Sequence, residues 1–112
     1  MEQTTALPGT GAATESKEDL VPQYNVVLLD DNEHTYDYVI EMLQKLFFYS
    51  KADAFRRAVE VDTHGRTIVL TCERPEAEFA RDQIHAFGAD PRMPKSRGSM
   101  KAILEPAAGS AN

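Results

Sequence analysis

Tyr24-Asn25-Val26-Val27-Leu28-Leu29-Asp30-Asp31-Asn32-Glu33-His34-Thr35-Tyr36-Asp37-Tyr38-Val39-Ile40-Glu41-Met42-Leu43-Gln44-Lys45-Leu46-Phe47 is the stretch on which the fold turns. Its first six residues form a short, nearly continuous apolar run rich in branched side chains. Such a run reads as a central strand covered on both faces. Asp30 to His34 is a polar turn. Thr35 has the chemistry of a helix N-cap, and Tyr36, Val39, Ile40, Leu43 and Phe47 follow at helical spacing. One stripe of this helix is therefore expected to face the core.

Working outward, Ser50 and Asp53 form a capping-box-like start to a second helix. Its apolar positions are Phe55, Ala58, Val59 and Val61, and Gly65 closes the connection. Thr67 to Cys72 reads as a second strand, with Ile68, Leu70 and Cys72 on one face and Val69 on the other. Pro75 suits the first position of a third helix, and Glu76 and Glu78 suit its positive end. Ala77, Ala80, Ile84 and Phe87 mark its buried stripe, and Gly88 its stop. Asp90 to Ser99 is a loop dense in Pro, Gly and basic residues, and Lys101 to Glu105 is a last short strand. The order is β-α-α-β-α-β. The expected fold is α+β, a three-stranded antiparallel sheet packed against three helices. One domain spans 23–107. Residues 1–22, with few sizeable aliphatics, read as a flexible N-terminal tail, and 108–112 as a frayed end.

The chain has 112 residues, enough for one core and too few for two. Its net charge of −6 opposes binding to phosphate backbones and acidic lipid, so neither nucleic acid nor membrane is an expected partner. A single cysteine excludes an intramolecular disulfide and fits a reducing compartment. The N-terminal residues lack the basic patch and apolar run of a signal peptide. A cytoplasmic protein is the expectation.

The densest polar cluster, Asp30-Asp31-Asn32-Glu33-His34, admits four readings. It is a solvated turn that caps the next helix. It is a divalent-metal site, although the calcium-loop spacing and its glycine are missing. It is the phosphoacceptor pocket of a receiver-like signalling domain, although the strand from Thr67 to Cys72 ends without the acceptor Asp. Or it is a set of acceptors that recognises a cation. His34, His64 and His85 are not spaced as a metal pair, and Cys72 has no partner cysteine at metal or redox spacing. Cys72 alternates with Ile68 and Leu70, as a small core residue does. There is no glycine-rich phosphate loop, no serine nucleophile elbow and no paired-carboxylate signature. No enzyme activity, metal or cofactor is expected.

Residues 24–47, together with Ala58-Val59-Glu60-Val61, Gly65-Arg66 and Ile103-Leu104-Glu105, resemble the ClpS family over roughly residues 24–106. That family consists of Clp protease adaptors that recognise N-terminal degrons. The resemblance implies an adaptor that binds N-degron substrate proteins by their first residue. It also implies docking on the N-terminal domain of a Clp-family AAA+ ATPase, with the tail taking part in delivery. It assigns Asp30, Asn32 and Asp62 to the substrate amine, and His34, Tyr36, Val39, Ala58 and Val61 to the side-chain pocket. Several positions depart from the family pattern. The family's Asn-Asp-Asp triplet is Asp30-Asp31-Asn32 here, and its amine-binding His is Asp62, with His64 two residues on. Its Thr-Pro-Met stretch is His34-Thr35-Tyr36, and a pocket Met is Ala58. The ATPase-facing Glu and Lys fall on Pro75 and Ala80 without a gap, and on Glu76 and Arg81 with a one-residue shift. An interaction module that binds the ATPase without degron recognition remains an alternative.

Overall fold

The computed structural model describes residues 21–107, so the tail expected over 1–22 lies outside it but for its last two residues, as does the end at 108–112. The elements run β1 Gln23–Leu29, α1 Tyr36–Phe47, α2 Lys51–His64, β2 Arg66–Glu73, α3 Arg74–His85 and β3 Ala102–Pro106. This is the expected order. The sheet is antiparallel with β1 between β2 and β3, which removes the receiver reading, since that fold needs parallel strands.

β1 is central, and the described helices pack on one of its faces. Val26 and Leu28 join the core with Tyr38, Met42, Leu43 and Ile84. Val27 points the other way and is also fully buried. Its cross-strand neighbours Ile68 and Ile103 flank it and are themselves partly exposed. On that same face Asn25 donates to Glu105 Oε2 (3.0 Å) and accepts from Thr71 Oγ1 (2.7 Å). A half-open sheet face thus stays ordered by cross-strand pairs.

β2 departs from simple alternation. Val26 pairs with Leu70 and Val27 with Ile68, so Val69 is the extra residue of a bulge. Thr67 and Val69 point inward before it, and Leu70 and Cys72 lean onto the core after it. Ile68 is exposed, against expectation. The Tyr49 hydroxyl donates to the Val69 carbonyl (2.7 Å), which gives the bulged residue's acceptor a partner.

The helix starts follow the sequence. Thr35 Oγ1 accepts from the Tyr38 N–H (3.1 Å), and Ser50 Oγ from the Asp53 N–H (3.1 Å). Two buried stripes differ from expectation. α1 turns Tyr38, Val39, Met42 and Leu43 inward and leaves Tyr36 exposed. α2 buries Ala54, Ala58 and Val61 and leaves Phe55 and Val59 outside. Small side chains face α1 because they allow close packing, and the larger pair falls on the open side. The α3 stripe of Ala77, Ala80 and Ile84 is buried as expected.

The segment between α3 and β3 is organised by Asp90, which is 1% exposed. Its Oδ2 accepts from the N–H and Oγ1 of Thr35 (2.8 Å each). Its Oδ1 accepts from the N–H (2.9 Å) and guanidinium (3.1 Å) of Arg92. Arg92 also pairs with Glu41 on α1 (3.0 Å), so it is not the free loop charge suggested by composition. Tyr38 adds a bond from its hydroxyl to the Gly88 carbonyl (2.5 Å). Burial, with the charges of Asp90 and Asp31, pushes that phenol up to about 12, against the lowering effect of a backbone bond at Met100.

Two predictions follow from these contacts. Burial raises the Asp90 carboxyl, but the bonds from Thr35 and Arg92 outweigh it and hold its pKa at about 2. A carboxylate whose folded pKa is depressed adds stability that is complete above its unfolded value, about 3.9, and is lost as pH falls through the folded value. The difference is worth about 2.6 kcal/mol, most of it gone by pH 2. Urea titrations at pH 6 and pH 2 should show Asp90→Asn less stable than the parent at pH 6, with the gap closing by about that amount at pH 2. The second concerns Phe48, the C-cap of α1, which has φ 59° and is 89% exposed. A left-handed conformation costs a non-glycine residue about 1 kcal/mol, and an exposed ring makes few contacts in return. Phe48→Gly should raise the urea midpoint without changing the slope.

Candidate functional site

The acidic turn is carried to α2 by the backbone. The Asp30 N–H donates to the Gly65 carbonyl (3.0 Å), and Leu29 N–H to the Lys101 carbonyl (3.0 Å). Gly65 holds φ 86° to end α2, a conformation that suits glycine. The end of β1, the C-terminal turn of α2 and the lead into β3 therefore meet at one place. There a cavity of about 40 Å³ opens between α1 and α2. Val39, Ala58, Val61 and Met100 give it apolar walls. Asp30, Asp31, Asp62 and Tyr36 bring polar groups to it, and His34 and Thr35 complete the lining.

Ala58, Val61 and Asp62 lie on one side of α2 by their i, i+3, i+4 spacing. Tyr36 opens α1 and Val39 follows at i+3. The Tyr36 hydroxyl donates to Asp62 Oδ2 (2.5 Å) across the opening, and the Tyr36 ring meets the Phe55 ring edge-on at 6.0 Å. The bond to Asp62 is the main reason the Tyr36 phenol is held above its ordinary pKa. Burial and the charges of Asp62 and Asp30 add to it.

His34 is fixed on both sides. Its Nδ1 lies 2.8 and 2.9 Å from the two Asp31 carboxylate oxygens, and its Nε2 lies 2.7 Å from the Gly98 carbonyl. The ring packs on Tyr38 at 4.5 Å. His34 thereby ties the loop before β3 to the acidic turn, and it lines the cavity as a wall that cannot easily move.

Among the described residues, neither Asp30 nor Asp62 has a cationic partner. The Asp30 carboxyl is pushed up, first by burial and then by the negative charges of Asp62 and Asp31. A bond from the Asp31 backbone pulls the other way. The carboxylates thus share one negative field without a compensating charge. A small cation with several N–H donors suits such a place. No group of three or more His, Cys, Asp or Glu among the described residues is disposed to hold a metal ion.

Of the residues singled out in the sequence, Asp30, Asp62, His34, Tyr36, Val39, Ala58 and Val61 all line this cavity. Asn32 is exposed and lies outside the lining. Asp31, Thr35 and Met100 line it without having been singled out. Asp31 sits inside the acidic triplet, and Met100 directly precedes an apolar strand; those are the signals that could have found them. Glu76 is exposed in the first turn of α3. Arg81 is partly covered and bonds to Asp82 (3.1 Å). Five positions along a helix is about 140° around its axis, so Glu76 and Arg81 occupy different flanks. A larger, open groove runs outside α2 past Phe55, Val59 and His64. Its charges are satisfied locally, as in the pairs Arg56–Asp53 and Arg57–Glu60.

An apolar cavity with carboxylates at its rim thus sits at one end of a β-α-α-β-α-β scaffold. The model of a family of adaptors, "ATP-dependent Clp protease adaptor protein ClpS", matches residues 19–94. The chain belongs to the ClpS family. A ClpS adapter of a Synechococcus species is 30% identical over 78 residues, covering 69% of this chain and 86% of that relative. The ClpS adapter of Nocardia farcinica is 36% identical over 62 residues, covering 55% of this chain and 58% of that relative. Among solved structures, Agrobacterium tumefaciens ClpS2 bound to L-phenylalaninamide has a TM-score of 0.66 at 24% identity. The match covers 77% of this chain and 98% of that one. At that identity the likeness bears on the fold. Among the described residues, no helix is long and apolar enough to cross a membrane.

Proposed function

We propose that this Clp protease adaptor binds substrate proteins by the free amine of their first residue and delivers them to the N-terminal domain of a Clp-type AAA+ unfoldase. The observation that carries the reading is the pair Asp30 and Asp62, which have no cationic partner among the described residues and stand at the rim of a small apolar cavity. A protonated α-amine brings one positive charge and three N–H donors, and the adjoining side chain brings apolar surface. Val39, Ala58 and Val61 would take that side chain, and Asn32 would join the amine from the exposed turn. The solved relative carries L-phenylalaninamide, itself a free α-amine on an apolar residue, which supports the same chemistry here. The protein performs no reaction in this scheme; unfolding and cleavage belong to the partner.

Acetylating a peptide removes the charge and two donors and leaves the carboxylates at the rim without those partners. Losing a charge-assisted pair costs about 1.5–3 kcal/mol, or roughly tenfold to a hundredfold in affinity. A peptide with a free amine and a large apolar first residue should therefore bind that much more tightly than its acetylated twin. Asp30→Ala should lose a comparable factor for the free-amine peptide only. Equal affinities for both peptides would sink the amine reading while leaving the family unaffected.

Delivery is tested separately. The isolated N-terminal domain of the unfoldase should bind the protein, and Glu76→Ala and Arg81→Ala should each weaken that binding. A degron-tagged reporter should be degraded at a different rate when the protein is added. Binding to the domain with no peptide binding of any kind would favour an interaction module that only occupies the unfoldase.

A further inference from the structure

The bond between Tyr36 and Asp62 has the wrong arrangement for a site that merely waits for an amine. The phenol has one hydrogen, and it is directed to Asp62 Oδ2 at 2.5 Å. An ammonium that approaches the same carboxylate meets the phenol already on it, and the two compete for that acceptor. The ring carrying that hydroxyl also lines the cavity, which is small, with a volume of about 40 Å³. Tyr36 is 38% exposed, and its ring rests edge-on against Phe55, which is 49% exposed. The remaining walls are of a different kind. Val39, Ala58, Val61 and Met100 are each at most 3% exposed, and the His34 side chain is held at both ring nitrogens. Tyr36 therefore lies outside the packed interior, on the same open side of the cavity as the exposed carboxylates of Asp30, Asp31 and Asp62.

We infer that the Tyr36–Asp62 hydrogen bond is a latch. The incoming ammonium takes over Asp62, the phenol is released, and the movable wall yields room for the first side chain. Amine recognition and admission of the side chain become one event. This deepens the amine-binding reading and rests on it. Tyr36 is then the residue that sets affinity: each free-amine ligand must first break a bond that the empty protein already makes. Neighbouring charge sharpens the competition, because Asp30 lies in the same field as Asp62 and favours the ligand's cation over a neutral phenol.

The latch makes an unusual demand, that deleting a polar group from a binding site should improve binding. Tyr36→Phe keeps the ring and its contact with Phe55 and removes only the hydroxyl. The affinity for a free-amine peptide with phenylalanine first should rise roughly threefold to tenfold, the net worth of one such hydrogen bond. Asp62→Ala removes an acceptor for the amine and should weaken binding. In that background Tyr36→Phe should change affinity by less than about twofold, because there is no latch left to break. A second measurement needs no peptide. With tyrosine ring carbons labelled, the Tyr36 phenol should titrate at lower pH in Asp62→Ala than in the parent. Unchanged or weaker binding by Tyr36→Phe overturns the latch while the free-over-acetylated preference leaves amine recognition standing. So does a Tyr36 titration indifferent to Asp62. If the parent and both variants bind free and acetylated peptides alike, amine recognition fails and the latch falls with it.

Discussion

Asp90 accepts four hydrogen bonds with almost no contact with water, and the geometry around the cavity depends on it. Two of its donors belong to Thr35, the N-cap of α1, and two to Arg92, which reaches on to Glu41 one and a half turns further along the same helix. A helix start leaves backbone N–H groups without intrahelical partners, so a buried carboxylate beside it is stabilised by the helix's own field. The loop after α3 is thereby clamped to the first turn of α1. Since Tyr36 and Val39 are placed by that turn, the position of two cavity walls is decided 50 residues away in sequence. Breaking one side of such a clamp would leave either a buried charge or several unpaired donors, which is why the arrangement behaves as a unit.

His34 extends the same clamp to the acidic turn. With one ring nitrogen on Asp31 and the other on the Gly98 carbonyl, it connects the two ends of the region that Asp90 organises. The consequence for the turn is a division of labour among three neighbouring acids. Asp31 is engaged by His34 and serves the structure. Asp30 and Asp62 have no such partner among the described residues and hold the negative field open. The triplet therefore cannot be treated as three equivalent acceptors, and exchanging acid and amide within it changes which position carries free charge.

How legible this was in the sequence depended on the range of the interaction involved. The caps at Thr35 and Ser50, Pro75 in the first turn of α3, and the central apolar run of β1 are local features, and each could be read from a few consecutive residues. The α2 stripe was misjudged because Phe55 and Val59 lie one turn apart and form a plausible stripe of their own. Hydrophobic bulk favoured it, whereas close packing of α1 against α2 favoured Ala54 and Ala58. The bulge at Val69 is a property of two paired strands, so no pattern within β2 could reveal that Ile68 would turn outward. Asp90 looked like any polar residue before a proline, and nothing nearby announced partners on α1. The cavity-lining positions came instead from likeness to the ClpS family, since they lie on separate elements and share no local motif.

The cavity combines parts of very different exposure. Its apolar walls come from residues locked between helices and sheet, so their positions are fixed by packing whatever occupies the space. Its anionic rim is fixed in part by the backbone bond from Asp30 to Gly65 and by the end of α2. Tyr36 is placed by an exposed hydrogen bond rather than by burial. A site whose walls were all rigid would accept only what already fits, and one whose walls were all loose would lose the alignment that charge-assisted bonds demand. In the proposed latch, tying the exposed ring to one of the carboxylates would let the charge on a ligand be the signal that opens the space for its side chain. Selectivity for the amine and tolerance toward the side chain would then arise from the same pair of residues.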